Sequence, residues 1–315
     1  MIGKKRAAAL AGHELVAVFD IDASRAGDVA SMASNAKVAV DLDQILKDPD
    51  INIVIVSTTN DHLSRLSIMA ANAKKHVLVE KPAGRNVKEI TAIADAARKN
   101  GVIVKVGFNH RFHPALLKAK EIVASGILGD LMFLRGRYGH GGRLGYEKEW
   151  RANPEMSGGG ELIDQGVHLI DLSRMFLGDF TRVEGYAGTY FWDMRVDDNA
   201  FMQLRTKDDR VAWLHVSCTE WKNMFSFEIY GKYGKLQIDG LGGSYGTEKL
   251  TCYKMLPQMG PPETEVWEYP SPDRSWELEF KDFINAIEKK RQPEGNIMDA
   301  IKALEIVKKI YEVSK

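Results

Sequence analysis

The sequence predicts an α/β protein in two parts: a doubly wound parallel sheet, followed by an α+β domain with a large, mostly antiparallel open sheet. Three observations carry this. In the first third, short strands that are apolar throughout alternate with helices of about ten residues or more, the grammar of βαβ units covered on both faces. From about residue 181 to 255 the chain is mostly strands joined by turn residues, the pattern of an antiparallel sheet. The length of 315 residues also suggests two domains, and the change of grammar divides them at 1–110 and 111–315.

The elements follow in order. "IGKKRAAALAG" reads as a helix and "ELVAVFD" as a buried strand ending in Asp20. "ASRAGDVASMAS" is a helix, "KVAV" a short strand, "DLDQILKD" a helix capped by Asp41, and "INIVIVST" a long apolar strand. "HLSRLSIMAANAKK" (helix), "HVLVEK" (strand), "VKEITAIADAARKNG" (helix stopping at Gly101) and "VIVKVGF" (strand) complete the first part. The right-handed crossover rule makes such a series doubly wound. Beyond residue 112 come a helix from Pro114 to Gly126, the strand "LMFLRGRY" and the helix "ELIDQGVHLIDLSRMFLG". Then come five strands, "RVEGYAGTYF", "NAFMQLRT", "VAWLHVSCTEW", "FSFEIYG" and "GKLQIDG", and two closing helices. In "VAWLHVSCTEW", Val211 and Trp213 lie on one face and Ala212, Leu214 and Val216 on the other. One face packs on helices. The other leaves an apolar patch, which predicts a homodimer or homotetramer through this sheet. The alternative is that the loop "GGSYGTEKLTCYKMLPQMGPPE" covers it.

Composition narrows the function classes. Apolar residues make up 44% and charged residues 27%, both ordinary for a globular protein. Lys+Arg and Asp+Glu balance at 43 each, so there is no electrostatic reason to expect nucleic acid or an anionic membrane as partner. No apolar run approaches the roughly 18 residues of a membrane span. Cys218 and Cys252 stand apart from any Cys/His cluster, which argues against zinc or a disulfide framework and fits the cytoplasm.

Two short stretches carry chemistry. "EKP", Glu80–Pro82, stands at the carboxyl end of a buried strand, where ligands of open α/β sheets bind. A lysine there can serve as acid or base, although a lysine at a strand end is commonly just a surface group. In "GGGELIDQGVHLID", Asp164 and His168 are four residues apart and share a helix face. A carboxylate beside an imidazole fixes its orientation, although such a pair is also an ordinary surface pair. The glycines before it allow close approach of a ligand or of the other domain. No third ligand lies at metal-site spacing, so no metal is expected.

Together with "STTNDH", "FNHRFHP", "EWRANPEMS" and "VDDNAFMQLR", these stretches resemble, in order and spacing, the Gfo/Idh/MocA oxidoreductases, the glucose–fructose oxidoreductase and inositol dehydrogenase family. The resemblance runs from Ile2 to the last helix. It implies a Rossmann-type first domain that binds a nicotinamide cofactor, and a second domain for substrate and oligomerisation. It implies hydride transfer between that cofactor and a hydroxyl-bearing carbon. Lys81, Asp164 and His168 would be catalytic. His168 or Lys81 would move the hydroxyl proton, and Asp164 would orient His168 or contact a neighbouring hydroxyl. Ile2, Gly3, Asp20, Ser57, Thr58, Asn60, His62, Glu80, Lys81 and Asn109 would hold the cofactor. Arg111, Tyr138, Trp150 and Arg151 would join Asp164 and His168 around the substrate.

Asp20, where the fingerprint acid meets the ribose hydroxyls, favours NAD over NADP by repelling a 2′-phosphate, although Arg25 could still reach one. The segment "RGRYGHGGRLGYEKEWRANPEMSGGG" mixes Gly, Arg, Tyr and His, which suits a cyclic sugar or polyol. Arg137, Arg143, Lys148 and Arg151 lean the reading toward a nucleotide-linked sugar. The rivals are a non-catalytic sugar- or cofactor-binding protein and another chemistry on the same scaffold.

The first line of the sequence raises a further expectation. Gly3 falls seventeen positions before Asp20, where the third glycine of G-x-G-x-x-G would stand. The strand and two glycines that should precede it are not in the sequence. The expectation is therefore that roughly ten or more residues lie upstream in the natural protein, and that the sheet lacks a central strand.

Overall fold

The computed structural model describes residues 2–258, 260–270 and 272–314. The chain forms two compact units, Met1–Gly107 with Trp276–Met298, and Phe108–Ser275 with Asp299–Lys315.

The first unit alternates strand and helix: α1 (Ile2–Ala8), β1 (Ala17–Val18), α2 (Ala23–Ala30), β2 (Lys37–Val38), α3 (Leu42–Lys47), β3 (Ile53–Val56), α4 (Asn60–Asn72), β4 (His76–Val79), α5 (Val87–Asn100) and β5 (Val104–Val106). The helix ends follow local chemistry. Asp22, Asp41 and Asn86 accept backbone N–H groups at the N-termini of α2, α3 and α5, and Gly101 closes α5 in the left-handed conformation at φ 67°. All strand pairs are parallel, but they form two sheets, β1–β2 and β3–β4–β5. Among the described residues β1 pairs with β2 alone, and β3 with β4 alone. This explains why "ELVAVFD", read as a full strand, yields only Ala17–Val18. A strand is as long as its hydrogen-bonded ladder, and here a second partner is lacking.

One helix of this unit comes from far along the chain. In α9 (Ser275–Glu288), Phe280 and Phe283 pack with Leu78 of β4, and Leu10, Ile53, Ile55 and Ile103 close around them. The closing segment was assigned whole to the second domain by its position. In the structure Trp276–Met298 belongs to the first unit, because the α9 apolar face covers the β3–β4–β5 sheet.

The second unit is built on an eight-stranded sheet. Its strands are β6 (Leu131–Gly139), β7 (Phe180–Gly188), β8 (Asn199–Thr206), β9 (Val211–Ser217), β10 (Met224–Gly231), β11 (Gly234–Asp239), β12 (Glu248–Lys254) and β13 (Glu263–Tyr269), in the order β13-β12-β11-β10-β6-β9-β8-β7. Only β6–β9 is parallel. Helices α6 (Pro114–Ala124), α7 (Pro154–Ser157), α8 (Val167–Leu177) and α10 (Ile297–Val313) complete the elements of this part. The segment read as a covering loop contains β12 and extends the sheet instead. On the inner face Leu134, Ala212, Leu214, Val216, Phe227 and Ile229 are buried. A Cβ on Gly136 would touch Leu169 of α8 as well as Leu214 and Phe227, so the sheet admits α8 at close range. On the outer face Trp213 is 47% exposed, but it lies beside Arg135, which pairs with Glu228, so the face is mixed rather than purely apolar.

Candidate active site

In the first unit, Val56, Val79 and Val106 are in register, so the carboxyl ends of β3, β4 and β5 share one edge. Ser57 and Thr58 follow β3, Asn60 begins α4, and Glu80 and Lys81 follow β4. The start of α1 joins them: Gly3 follows Ile2, and a Cβ on Gly3 would lie 3.4 Å from Ser57 Oγ. Lys81 is half-buried at this edge. His62, in the first turn of α4, stands 3.6 Å from Asp61. Asp20 follows β1, is exposed, and accepts the Asp22 N–H at 2.9 Å with one oxygen, leaving the other for a ligand. Arg25 pairs with Asp22 at 3.2 Å. This donor and acceptor set fits a dinucleotide: hydroxyls and an amide at the sheet edge, and a carboxylate for a ribose diol.

Glu80 differs from its expected role. Its carboxylate turns inward and accepts from Arg6 Nε at 2.6 Å, and Arg6 also pairs with Glu279 of α9. All three are buried. The two carboxylates outweigh burial and raise the Arg6 pKa, so the guanidinium is charged. A Cβ on Gly107, just after β5, would sit 2.6 Å from Arg6 Nη2, so only glycine fits there. The turn that carries Lys81 is thus anchored by an ion cluster from α1, β4 and α9.

In the second unit the glycine triplet leads into a π-helical turn, Leu162–Gly166, and then α8. The triplet was expected to admit a ligand or the other domain. What occupies the space is this unit itself. A Cβ on Gly159 would meet Tyr311 Oη at 2.2 Å, and one on Gly160 the Asp197 carbonyl oxygen at 1.8 Å. Asp197 accepts from Gly160 N, Leu162 N and Tyr311 Oη at 2.9, 2.8 and 2.7 Å. It therefore fixes the start of the helical segment bearing Asp164 and His168.

His168 is buried and stacks on His110 with centroids 3.7 Å apart, edged by Phe108 and Tyr138. Asp164 accepts from Arg151 Nε at 3.1 Å, and the Arg151 guanidinium lies over the Trp150 ring. Burial pushes the Tyr138 hydroxyl well above its ordinary value. Asn109 donates to Ser275 at 2.9 Å. Arg111, expected beside the substrate, is committed elsewhere: it makes a bidentate pair with buried Asp171 at 2.7 and 2.6 Å, with Asp299 at 3.3 Å. The loop arginines are also matched, Arg143 by Glu149, Arg137 by Glu220 and Arg151 by Asp164.

The sequence reading passed over Glu161. It is buried, accepts from Tyr146 Oη at 2.9 Å and lies 3.4 Å from His140 Nε2. Glu161 raises the His140 pKa against the effect of burial. Its signal was present: Glu161, Asp164 and His168 fall at helical spacing on one face. Among the described residues no cluster of His, Cys, Asp or Glu is placed to hold a metal ion, and no helix is long and apolar enough to cross a membrane.

Fold and site define a two-part α/β oxidoreductase scaffold, with a nucleotide-type unit and an open-sheet unit. Residues 1–108 match the model of the oxidoreductase family's NAD-binding Rossmann fold, and residues 116–237 that of the GFO/IDH/MocA C-terminal domain. The chain belongs to the Gfo/Idh/MocA oxidoreductase family. It is 33% identical over 219 residues to levoglucosan dehydrogenase of Pseudarthrobacter phenanthrenivorans, covering 61% of this chain and 56% of that protein. It is 31% identical over 196 residues to scyllo-inositol 2-dehydrogenase (NAD(+)) of Bacillus subtilis, covering 61% and 53%. The matches thus span little more than half the length of these relatives. A solved levoglucosan dehydrogenase in complex with NADH superposes with a TM-score of 0.90 at 22% identity, over 100% of this chain and 94% of that one, which shows the shared fold.

Proposed function

We propose that the protein is an NAD-dependent oxidoreductase acting on a secondary hydroxyl of a neutral cyclic sugar or polyol. One observation carries the reading: Lys81 stands half-buried at the shared carboxyl edge of a parallel sheet, in a chain that also builds Asp164 and His168 onto one anchored helical segment. Ile2, Gly3, Ser57, Thr58, Asn60, His62, Lys81 and Asn109 are the proposed holders of the cofactor, and Asp20 favours NAD. Bound NAD would supply the two-electron acceptor for hydride. His168 takes the hydroxyl proton as the carbinol becomes a carbonyl. Lys81 is the second proton-transfer group of the proposal. Arg151 holds the Asp164 carboxylate at 3.1 Å, where it can accept from a neighbouring hydroxyl. Tyr138 and Trp150 line the sugar. Because Arg137, Arg143 and Arg151 are each paired with a carboxylate, a neutral glycoside suits the loop better than a nucleotide-linked sugar. Two or four copies associating through the outer face of the eight-stranded sheet belong to the same proposal.

The test is NAD reduction with a panel of cyclic sugars and inositols. Lys81→Met should lower turnover by at least about 10²-fold with NAD affinity little changed. His168→Ala should do the same and flatten the pH–rate profile near neutrality. Turnover close to wild type in both variants would remove this pair from the chemistry.

A further inference from the structure

Three buried histidines of the second unit touch one another, and the proposed chemistry uses one of them. The segment "FNHRFHP" contains a 3-10 turn, Asn109–Phe112. Side chains three apart in such a turn eclipse, so His110 and His113 meet edge to face, with centroids 5.6 Å apart at 84°. His110 also lies flat on His168 of α8, with centroids 3.7 Å apart and planes 16° apart. None of the three rings is more than 6% exposed.

The neighbours of two rings fix their tautomers. Asn109 Nδ2 donates to Ser275 Oγ at 2.9 Å, which leaves Asn109 Oδ1 toward His110 Nδ1 at 3.3 Å. An amide oxygen only accepts, so His110 Nδ1 carries a hydrogen and Nε2 is the atom that gains or loses one. His113 Nδ1 likewise donates to Glu248 Oε2 at 2.9 Å, and Asp273 stands 3.9 Å from the same nitrogen. From other elements, Tyr138 of β6 faces both His110 and His168, and Tyr245 lies against Tyr138 at 5.1 Å. Burial pushes both hydroxyls up, so they stay neutral. The ions on the adjoining segments are matched: Asp164 by Arg151, Asp171 by Arg111, and Glu161 by His140.

Packing alone would be served by any flat ring at residue 110. Charge is not indifferent to the choice. Two imidazolium ions 3.7 Å apart in a buried site repel, so a second proton is held more weakly than the first by more than about one pH unit. We infer that His110 is a positioning residue that acts through His168: the stacked rings take one proton between them, and His110 takes a share of it. His168 then stays neutral, and able to accept the hydroxyl proton, to a lower pH than it would alone. The inference rests on the reading of His168 as the base. Its sign follows from counting states. With His110 present, a first proton on His110 leaves His168 neutral, and a second is opposed. With an uncharged ring in its place, every proton that the pair takes is on His168. Loss of the His110 charge therefore raises the pH at which His168 protonates.

The test uses the full chain and two measurements. The first is NMR titration of the histidine Cε1–H resonances between pH 5 and 9, without NAD or sugar, assigned with His110→Phe and His168→Phe. Each variant keeps a flat ring in the stack and cannot hold a proton there. His110→Phe should leave His168 with a single step, about one pH unit above its wild-type midpoint. His168→Phe should leave His110 with a single step as well. The second measurement is the pH profile of kcat/KM for NAD reduction with a cyclic sugar. His110→Phe should move its acid limb up by about one unit, which lowers kcat/KM about tenfold below the limb. The inference is overturned if the His168 midpoint is the same in wild type and His110→Phe, or if neither ring titrates between pH 5 and 9. It is also overturned if His110→Phe lowers the whole profile without moving its acid limb, as a merely structural ring would. A raised His168 midpoint without oxidation of any sugar would uphold the shared proton and sink the catalytic reading.

Discussion

At the scale of single residues, the buried acids decide more than the exposed ones. Burial pushes the Asp197 carboxyl up to about 6, although three donors meet it. The unfolded chain ionises near the ordinary carboxyl value of about 4. Between these values the unfolded state loses its proton while the folded state keeps it, so stability falls as pH rises through that window and levels off above about 6. The fall should be on the order of 2–3 kcal/mol. Urea denaturation of wild type and Asp197→Asn between pH 4 and 7 checks this. The wild-type stability should drop relative to the variant between pH 4 and 6, and a constant gap would mean that Asp197 is ionised throughout. Asp20 allows a second prediction. NAD(H) should bind more tightly than NADP(H), and Asp20→Ala should narrow the gap; tighter NADP(H) binding by the unmodified chain would refute the role given to Asp20. Arg6 allows a third. Arg6→Met removes the guanidinium that Glu80 and Glu279 share and leaves Glu279 with Lys105 alone, at 4.0 Å, so it should cost about 3–5 kcal/mol by chemical denaturation. A loss below about 1 kcal/mol would show that the cluster is not what anchors the Lys81 turn.

At the scale of elements, the glycine triplet is the instructive case. The motif was legible, and so was its link to Asp164 and His168. Its physical reason was not, because Asp197 and Tyr311 lie far away in sequence and are brought in by the β7–β8 connection and by α10. The reason makes a prediction. Gly160→Ala places a Cβ 1.8 Å from the Asp197 carbonyl oxygen and must displace one of the two. It should destabilise by about 2–4 kcal/mol and lower activity together with stability. Gly145→Ala, at φ 84° with nothing within 4 Å of the new Cβ, should cost only about 1–2 kcal/mol. Thermal melts of the pair check this, and equal losses would show that crowding at Gly160 is relieved. Helix ends were readable in the same local way, since Asp41 and Gly101 act within their own turns. The strands β12 and β13 were not, because "EKLTCYK" and "ETEVWEY" become strands only by adding to the edge that β11 offers.

At the scale of the whole molecule, the outer face of the eight-stranded sheet is the proposed face of association. Trp213 stands there beside Arg135, which pairs with Glu228. If copies associate through this face, Trp213→Glu should lower the mass seen by sedimentation velocity without changing the melting temperature of the dissociated chain. An unchanged mass would place association elsewhere or leave the protein monomeric. The sequence by itself determined what depends on neighbours within a few residues: the alternation of strand and helix, the caps, and the types of group gathered in "EKP" and "GGGELIDQGVHLID". It also determined the family, because those groups recur in order along the chain. Tertiary structure alone decided which charges are spent. Arg111 goes to Asp171, Glu80 to Arg6, and Asp164 to Arg151. It alone decided that a helix near the end of the chain covers the first parallel sheet. The physical reason is the same in each case. A propensity or a cap acts over one turn of chain, whereas an ion pair or a buried face is completed by whichever segment folding brings within a few ångströms.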